Sequence, residues 1–480
     1  MRDVRDVVVV GGGIAGLAAA WRLRHRDLVL LEADDRVGGR IRSERRGPYW
    51  MNWGGHVYDG SPASATQRLL RETGFASRPV PGNLTGLSMN GRLLLSGRVE
   101  TLPLRIPMSW RDRASLVRAG AKVRVAVARY ARLSRRRPGE DEATRQQRVY
   151  DFMNDRSFAD FVGRLPEDAR ALFEPTVTRS SAEMHEIAAG AGVGYFSLVW
   201  NIGAGLSHSI DGGPSTLTGG IAEALGDRVL CGARIEEVAT TGRSVVVRYT
   251  HQGTAHEIEA RSVILATTAG VSRRIGVTLA PEVREALAQV RFGPFVSAAF
   301  LTDETDAQPW DDTYAIATPK RSFTVVLNMS NNVRPLSAQR LPGSSLMVFS
   351  PAGLARRLLD QDDASVLATY LADLDQVLPG VAAHLVEAEV MRWAEASPYS
   401  FPGRARLQPA LTSREGRVLL AGDYLGTQYT ESAVHSGFAA AEAAERVVHT
   451  DRPRPSPIAK QAQHVSPASP TSPASPASKE

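Results

Sequence analysis

Three glycines, Gly11, Gly13 and Gly16, stand at the spacing G-x-G-x-x-G, and Glu32 follows Gly11 by 21 positions. Each residue type has a physical use there. Gly11 allows a tight strand-to-helix turn, Gly13 lets the backbone approach a pyrophosphate, and Gly16 lets the helix pack closely on the strand. The helix N-terminus presents free N–H groups and a positive dipole end to phosphate charge. Glu32 is placed to accept hydrogen bonds from ribose hydroxyls. A lone G-x-G-x-x-G also occurs in glycine-rich turns of other α/β units. Here the context agrees: Val7–Val10 reads as a buried parallel strand, Leu17–Leu23 as a helix and Leu28–Leu31 as a second strand ending at the acid.

The next stretch, Ala33-Asp34-Asp35-Arg36-Val37-Gly38-Gly39-Arg40, is not expected of a simple NAD site. It resembles the E-A-x-x-R-x-G-G-R continuation of flavoproteins in the monoamine oxidase and protoporphyrinogen oxidase superfamily. The resemblance extends to Met51–Tyr58 with its Gly54-Gly55-His56, to the strand and turn Val263–Thr268, and to Val418–Asp423 followed by Glu431–Gly437. It implies an FAD cofactor and assigns FAD contacts to Gly11, Gly13, Ile14, Ala15, Gly16, Glu32, Ala33, Arg36, Gly39, Arg40, Gly54, Gly55, His56, Ile235, Ala266, Gly422, Asp423, Ala433 and Val434. Ile235 corresponds to a residue whose main chain binds adenine, and Ala433 and Val434 to main-chain donors at a helix expected to begin near Ser432. Asp34 departs from the basic residue many relatives carry. The flavin is expected to be non-covalent, because Cys231, the only cysteine, lies far along the chain from the ring motifs.

The same resemblance names His56, Tyr399 and Tyr429 as pocket residues, the two tyrosines as walls of an aromatic cage. Where many amine oxidases carry a lysine that holds a water against the flavin, the resemblance places Ser297. Trp393–Tyr399 instead resembles the W-x-x-x-x-P-x-Y stretch of protoporphyrinogen oxidases, although Tyr399 follows Pro398 directly. No side chain stands out as a catalytic acid or base, and no metal-ligand cluster is visible. The reaction implied is transfer of a hydride from a saturated C–C or C–N bond of a small molecule, with O2 reoxidising the flavin. A redox-neutral flavin isomerase or mutase is the alternative class.

These motifs need a scaffold, and 480 residues are too many for one simple core. The expected class is α/β, with a Rossmann-type, glutathione-reductase-like FAD-binding domain and an interleaved α+β substrate domain. The FAD domain is expected in three parts, 1–80, 211–280 and 406–450. The substrate domain takes 81–210, mainly helical, and 281–405, sheet plus helix, with Arg357–Val377 helical. Residues 451–480 hold 7 prolines and 6 serines and read as a disordered tail.

Composition, with 43% hydrophobic and 22% charged residues, is that of a globular chain. No apolar run approaches the roughly 18 residues that span a bilayer. The first apolar run is a strand rather than a signal peptide, and one cysteine needs no oxidising compartment, so a cytoplasmic location is expected. A net charge of +6 is weak support for nucleic acid, and no such partner is expected. Residues 105–148 are rich in arginine on a helical pattern, with Leu116, Val123, Val127 and Tyr130 on one face. This stretch reads as an amphipathic surface helix, and a peripheral membrane contact or a basic rim for an anionic substrate are the other readings open. The oligomeric state is left open.

Overall fold

The structure, a computed structural model, describes residues 4–450 apart from 81, 83, 201–205, 335–338 and 428. The expected tail, 451–480, lies outside the described residues.

Strand β1 (Arg5–Val10) runs parallel to β2 (Leu28–Leu31) on one side and to Thr254–Leu265 on the other. Helix α1 (Ile14–Arg22) makes the crossover between β1 and β2. Val229–Leu230 extends the sheet beyond β2, and Val418–Leu420 pairs with Thr254–Leu265. Ala233–Thr241 and Ser244–His251 complete it as antiparallel neighbours. The four consecutive valines of β1 are explained by burial on both faces. Val7 and Val9 point into the core beneath α1 and the long last helix, Tyr429–Thr450. Val8 and Val10 point into the core on the opposite face, under Ala269–Ile275 and Pro281–Gln289. A strand buried on both faces has no polar alternation to show.

A second sheet has the order Leu385–Tyr399, Arg291–Thr302, Ser345–Pro351, Val325–Asn328, Ala315–Ala317, Gly86–Met89, Arg92–Leu94. One face carries Val296, Ala298, Phe300 and Val348 against Val366, Tyr370, Leu374 and Val377 of the helix Asp363–Val377. Its last two strands lie within Leu84–Leu95, a stretch whose sequence pattern reads as short strands. The helix expected over Arg357–Val377 is two helices, Ala352–Leu358 and Asp363–Val377. The break is made by Asp362, whose carboxylate accepts from the Ser365 N–H at 2.9 Å and so starts a new helix.

Five helices between Trp110 and Trp200 form a separate cluster. Trp110–Leu133 starts at Ser109, whose hydroxyl accepts from the Asp112 N–H. It buries Ala119, Val123, Ala126 and Val127 against Phe158, Phe173 and Phe196, with Leu116 and Tyr130 at the margin, which is the face expected from spacing.

Candidate active site

A cavity of about 950 Å³ runs from the end of β1 to the second sheet and the helical cluster. At its first end, the N–H of Gly12 donates to the Glu32 carboxylate at 2.5 Å, and the N–H of Asp34 to its other oxygen at 2.9 Å. Gly11 has φ +103°, and a Cβ there would stand 2.8 Å from the Ala266 carbonyl oxygen. A Cβ on Gly16 would stand 1.9 Å from the Gly11 oxygen, so only glycine allows α1 this close to β1. Gly13 has nothing within 4 Å of its Cβ position. Its open side, facing the cavity at the start of α1, is the room a pyrophosphate needs. This cradle, with Glu32 at its rim, fits the nucleotide half of FAD.

Gly13, Ile14, Ala15, Glu32, Ala33, Arg36, Gly39, Arg40, Gly54, Gly55, His56, Ile235, Ala266, Gly422, Asp423, Tyr429 and Ala433 all line this one cavity, as does Gly11. Gly16 lies behind the wall as a packing glycine. Arg36 turns its guanidinium on its own loop, donating to the carbonyls of Val37 at 3.1 Å and Gly39 at 2.9 Å. Arg40 reaches across to the last motif and holds Asp423 through two hydrogen bonds of 2.8 Å. A Cβ on Gly54 would stand 2.1 Å from the Arg40 oxygen, and the Gly55 N–H donates to that oxygen at 3.0 Å. The Gly54-Gly55 pair is therefore locked to Arg40.

Three expectations need correction. Tyr399 does not reach the cavity. It ends its strand opposite Arg291 and packs half-buried between the core under Pro281–Gln289 and the helical cluster. The last helix begins at Tyr429, three residues before Ser432. Ala433 is then its fifth residue, and the N–H groups of Ala433 and Val434 belong to the helical ladder. The N–H groups without helical acceptors are those of the first turn, and Thr430 among them lines the cavity. Val434 is wholly buried in the core beneath.

The aromatic partner of Tyr429 is Tyr195, with ring centroids 5.6 Å apart and planes at 77°. Tyr195 comes from the helix Ala189–Trp200. The Tyr429 hydroxyl donates to the Arg179 carbonyl at 3.1 Å. Ser297 is buried and donates to the Trp53 carbonyl at 2.8 Å, and the Trp393 indole N–H donates to the same carbonyl at 3.0 Å. Among the described residues no lysine lines the cavity.

His56 Nδ1 lies 2.9 Å from the Gly54 carbonyl, an acceptor, so Nδ1 carries the proton and Nε2 holds the free lone pair. Burial, and beyond it the charge of Arg179, push His56 down to about 4. It is neutral at pH 7. Arg179 is the residue that sequence reasoning missed. It follows directly on the helix Glu167–Thr178, and no sequence motif singles it out. Arg179 lines the cavity among Tyr195, Tyr314 and Tyr429. Burial lowers its affinity for a proton while the three tyrosines oppose that shift. Among the described residues it forms no ion pair.

Comparison with known proteins agrees with this geometry. The model of the family "Flavin containing amine oxidoreductase" matches residues 14–444. A coproporphyrinogen III oxidase of Mycobacterium tuberculosis is 28% identical over 441 residues, 88% of this chain and 93% of the relative. A flavin-containing amine oxidase of Danio rerio is 27% identical over 56% of this chain and 51% of its own. Among solved structures, a putrescine oxidase bound to putrescine superposes with a TM-score of 0.73 at 20% identity, over 93% of this chain and 100% of that one. A cyclohexylamine oxidase from Brevibacterium oxydans does so with 0.72 at 17% identity, over 93% and 99%.

Proposed function

The chain belongs to the flavin-containing amine oxidoreductase family and uses FAD, and on that premise we propose that it is an oxidase which dehydrogenates a carboxylate-bearing, porphyrinogen-type small molecule with O2 as final acceptor. Bound FAD supplies the hydride acceptor. The residues do the rest. Glu32 and the Gly11–Gly16 cradle hold the nucleotide. The Arg40–Asp423 pair and the Gly54-Gly55 turn form the wall against which a flat ring system would lie. The apolar end, with Leu172, Leu198, Phe295, Phe349 and Val57, excludes water from the reacting carbon.

Arg179 is the observation that carries the substrate class. A guanidinium lining an apolar cavity without an ion-pair partner is costly, and a carboxylate on the substrate offsets that cost by a forked, charge-assisted contact. Beside it, His56 Nε2 is an unprotonated acceptor able to take a hydrogen bond from a pyrrole or amine N–H. The absence of a lining lysine among the described residues and the mycobacterial relative both support the porphyrinogen reading over a simple amine. A second reading, oxidation of the C–N bond of an amino acid, is favoured by the Tyr195–Tyr429 pair, and the same Arg179 would hold its carboxylate.

The test is turnover of coproporphyrinogen and of its methyl ester by the wild type and by Arg179→Met, with peroxide release as readout. The reading expects peroxide with the acid. It expects a KM raised at least tenfold for the ester, and the same rise for the acid with the variant. Equal kinetics for acid and ester would overturn the carboxylate assignment, and turnover without peroxide or oxygen uptake would point to the redox-neutral class.

A further inference from the structure

We infer that the outer face of the helix Trp110–Leu133 docks on an anionic lipid bilayer. The inference is independent of the proposed substrate. Six large hydrophobic side chains among the described residues are conspicuously exposed, and four of them lie between residues 104 and 125: Leu104 at 79%, Trp110 at 82%, Val117 at 55% and Val125 at 56%. At about 100° per residue, Trp110, Ala114, Val117, Ala121, Val125 and Ala128 fall within an arc of roughly 80°. All six are exposed, and they lie opposite the buried face of Ala119, Val123, Ala126 and Val127. The helix is apolar on both sides, and the protein core covers only one.

The charges decide what covers the other. Between Arg105 and Arg137 the sequence holds ten arginines and one lysine against a single acid, Asp112. That acid faces inward and accepts from the N–H groups of Asp168 and Ala169. Exposed Arg111, Arg118, Arg129 and Arg132 stand beside the apolar stripe and form no ion pair among the described residues. A narrow apolar stripe with a terminal tryptophan and flanking cations matches a helix lying in a headgroup layer, apolar atoms in the acyl boundary and arginines on phosphates. A nucleic acid would match the cations but not the stripe. Leu102, two residues before the exposed Leu104, lines the active-site cavity, so this face adjoins the cavity wall. No helix among the described residues is long and apolar enough to cross a membrane, and the contact inferred is with the bilayer surface.

The test is co-sedimentation of the holoenzyme with phosphatidylcholine vesicles, with and without about one third phosphatidylglycerol. Binding is expected on the anionic vesicles, at least tenfold weaker on the neutral ones, and weakened by salt. Trp110→Ser/Val117→Ser/Val125→Ser should lower it at least tenfold while flavin content and melting temperature are kept. Arg111→Ser/Arg118→Ser should lower it roughly fivefold per cation on anionic vesicles only. No binding to either vesicle, or binding untouched by the triple substitution, would overturn the inference. So would a wild-type dimer, unable to bind vesicles, that the triple substitution splits into monomers, because the stripe would then be a subunit contact.

Discussion

Arg40 and Asp423 stand 383 residues apart and are joined by two parallel hydrogen bonds of 2.8 Å. This pair ties the loop that follows Glu32 to the turn that precedes the last helix, and both partners line the cavity. The same guanidinium donates to the Ala396 carbonyl at 2.8 Å, so it also anchors the strand that carries Trp393. Three distant pieces of chain meet on one side chain.

Arg40→Lys should show what the fork is worth. A lysine keeps the charge but cannot make the bidentate contact. The loss of one charge-assisted hydrogen bond costs about 1.5 kcal/mol. FAD content after dialysis and the melting temperature should both fall, whereas an unchanged pair of values would mean that the fork holds neither the turn nor the cofactor.

The last helix gives a second prediction. Proline in a helix interior removes a ladder bond and clashes with the preceding turn, at about 3 kcal/mol or more. Because the helix starts at Tyr429, Ala433→Pro should be strongly destabilising in thermal melts. Thr430→Pro, in the first turn, keeps every helical bond and removes only an N–H at the cavity. It should fold with a weakened hold on FAD. An Ala433→Pro variant as stable as the wild type would mean that the helix starts later.

That helix marks where sequence reasoning ran out. The β1–α1–β2 unit was legible because its signals are local: four valines, three glycines, one acid. The start of the last helix was not, because its first acid is used elsewhere. Glu431 accepts from the N–H groups of Ala65 at 2.6 Å and Thr66 at 2.9 Å and so caps a different helix, Ala65–Thr73. Arg179 was hidden because no motif marks it, and only the folded chain brings it into the cavity beside Tyr195, Tyr314 and Tyr429. Tyr399 was misplaced because its position depends on how far the strand Leu385–Tyr399 runs past the cavity. Between Trp393 and Ser397 that strand carries two more residues than the facing Gly293–Phe295, and no motif encodes the irregularity.

His56 sets a pH dependence. The unfolded chain binds its proton near pH 6.5, and the folded chain only near about 4. The stabilising contribution of the buried neutral ring is therefore complete above about pH 6.5 and is lost as pH falls toward 4. At pH 5 the loss amounts to roughly 2 kcal/mol. Melts of the wild type at pH 7 and pH 5, set against His56→Asn, should show a larger acid loss in the wild type. An equal loss in both proteins would mean that the ring titrates normally.

Glu32→Ala should weaken FAD. The carboxylate is held at the cavity rim by the Gly12 and Asp34 N–H groups, and one charge-assisted hydrogen bond to a ribose hydroxyl is worth about 1.5–3 kcal/mol. That corresponds to roughly a tenfold to hundredfold rise in Kd. Equilibrium titration of the apoprotein with FAD measures it, and an unchanged Kd would refute the ribose assignment.

The most direct test of the central claim is anaerobic mixing of the oxidised holoenzyme with coproporphyrinogen while the flavin absorbance is followed. The oxidised flavin band should bleach within the enzyme's turnover time, with colour restored when oxygen is admitted. An absorbance that stays oxidised with coproporphyrinogen, but bleaches with an unsubstituted amine lacking any carboxylate, would contradict it.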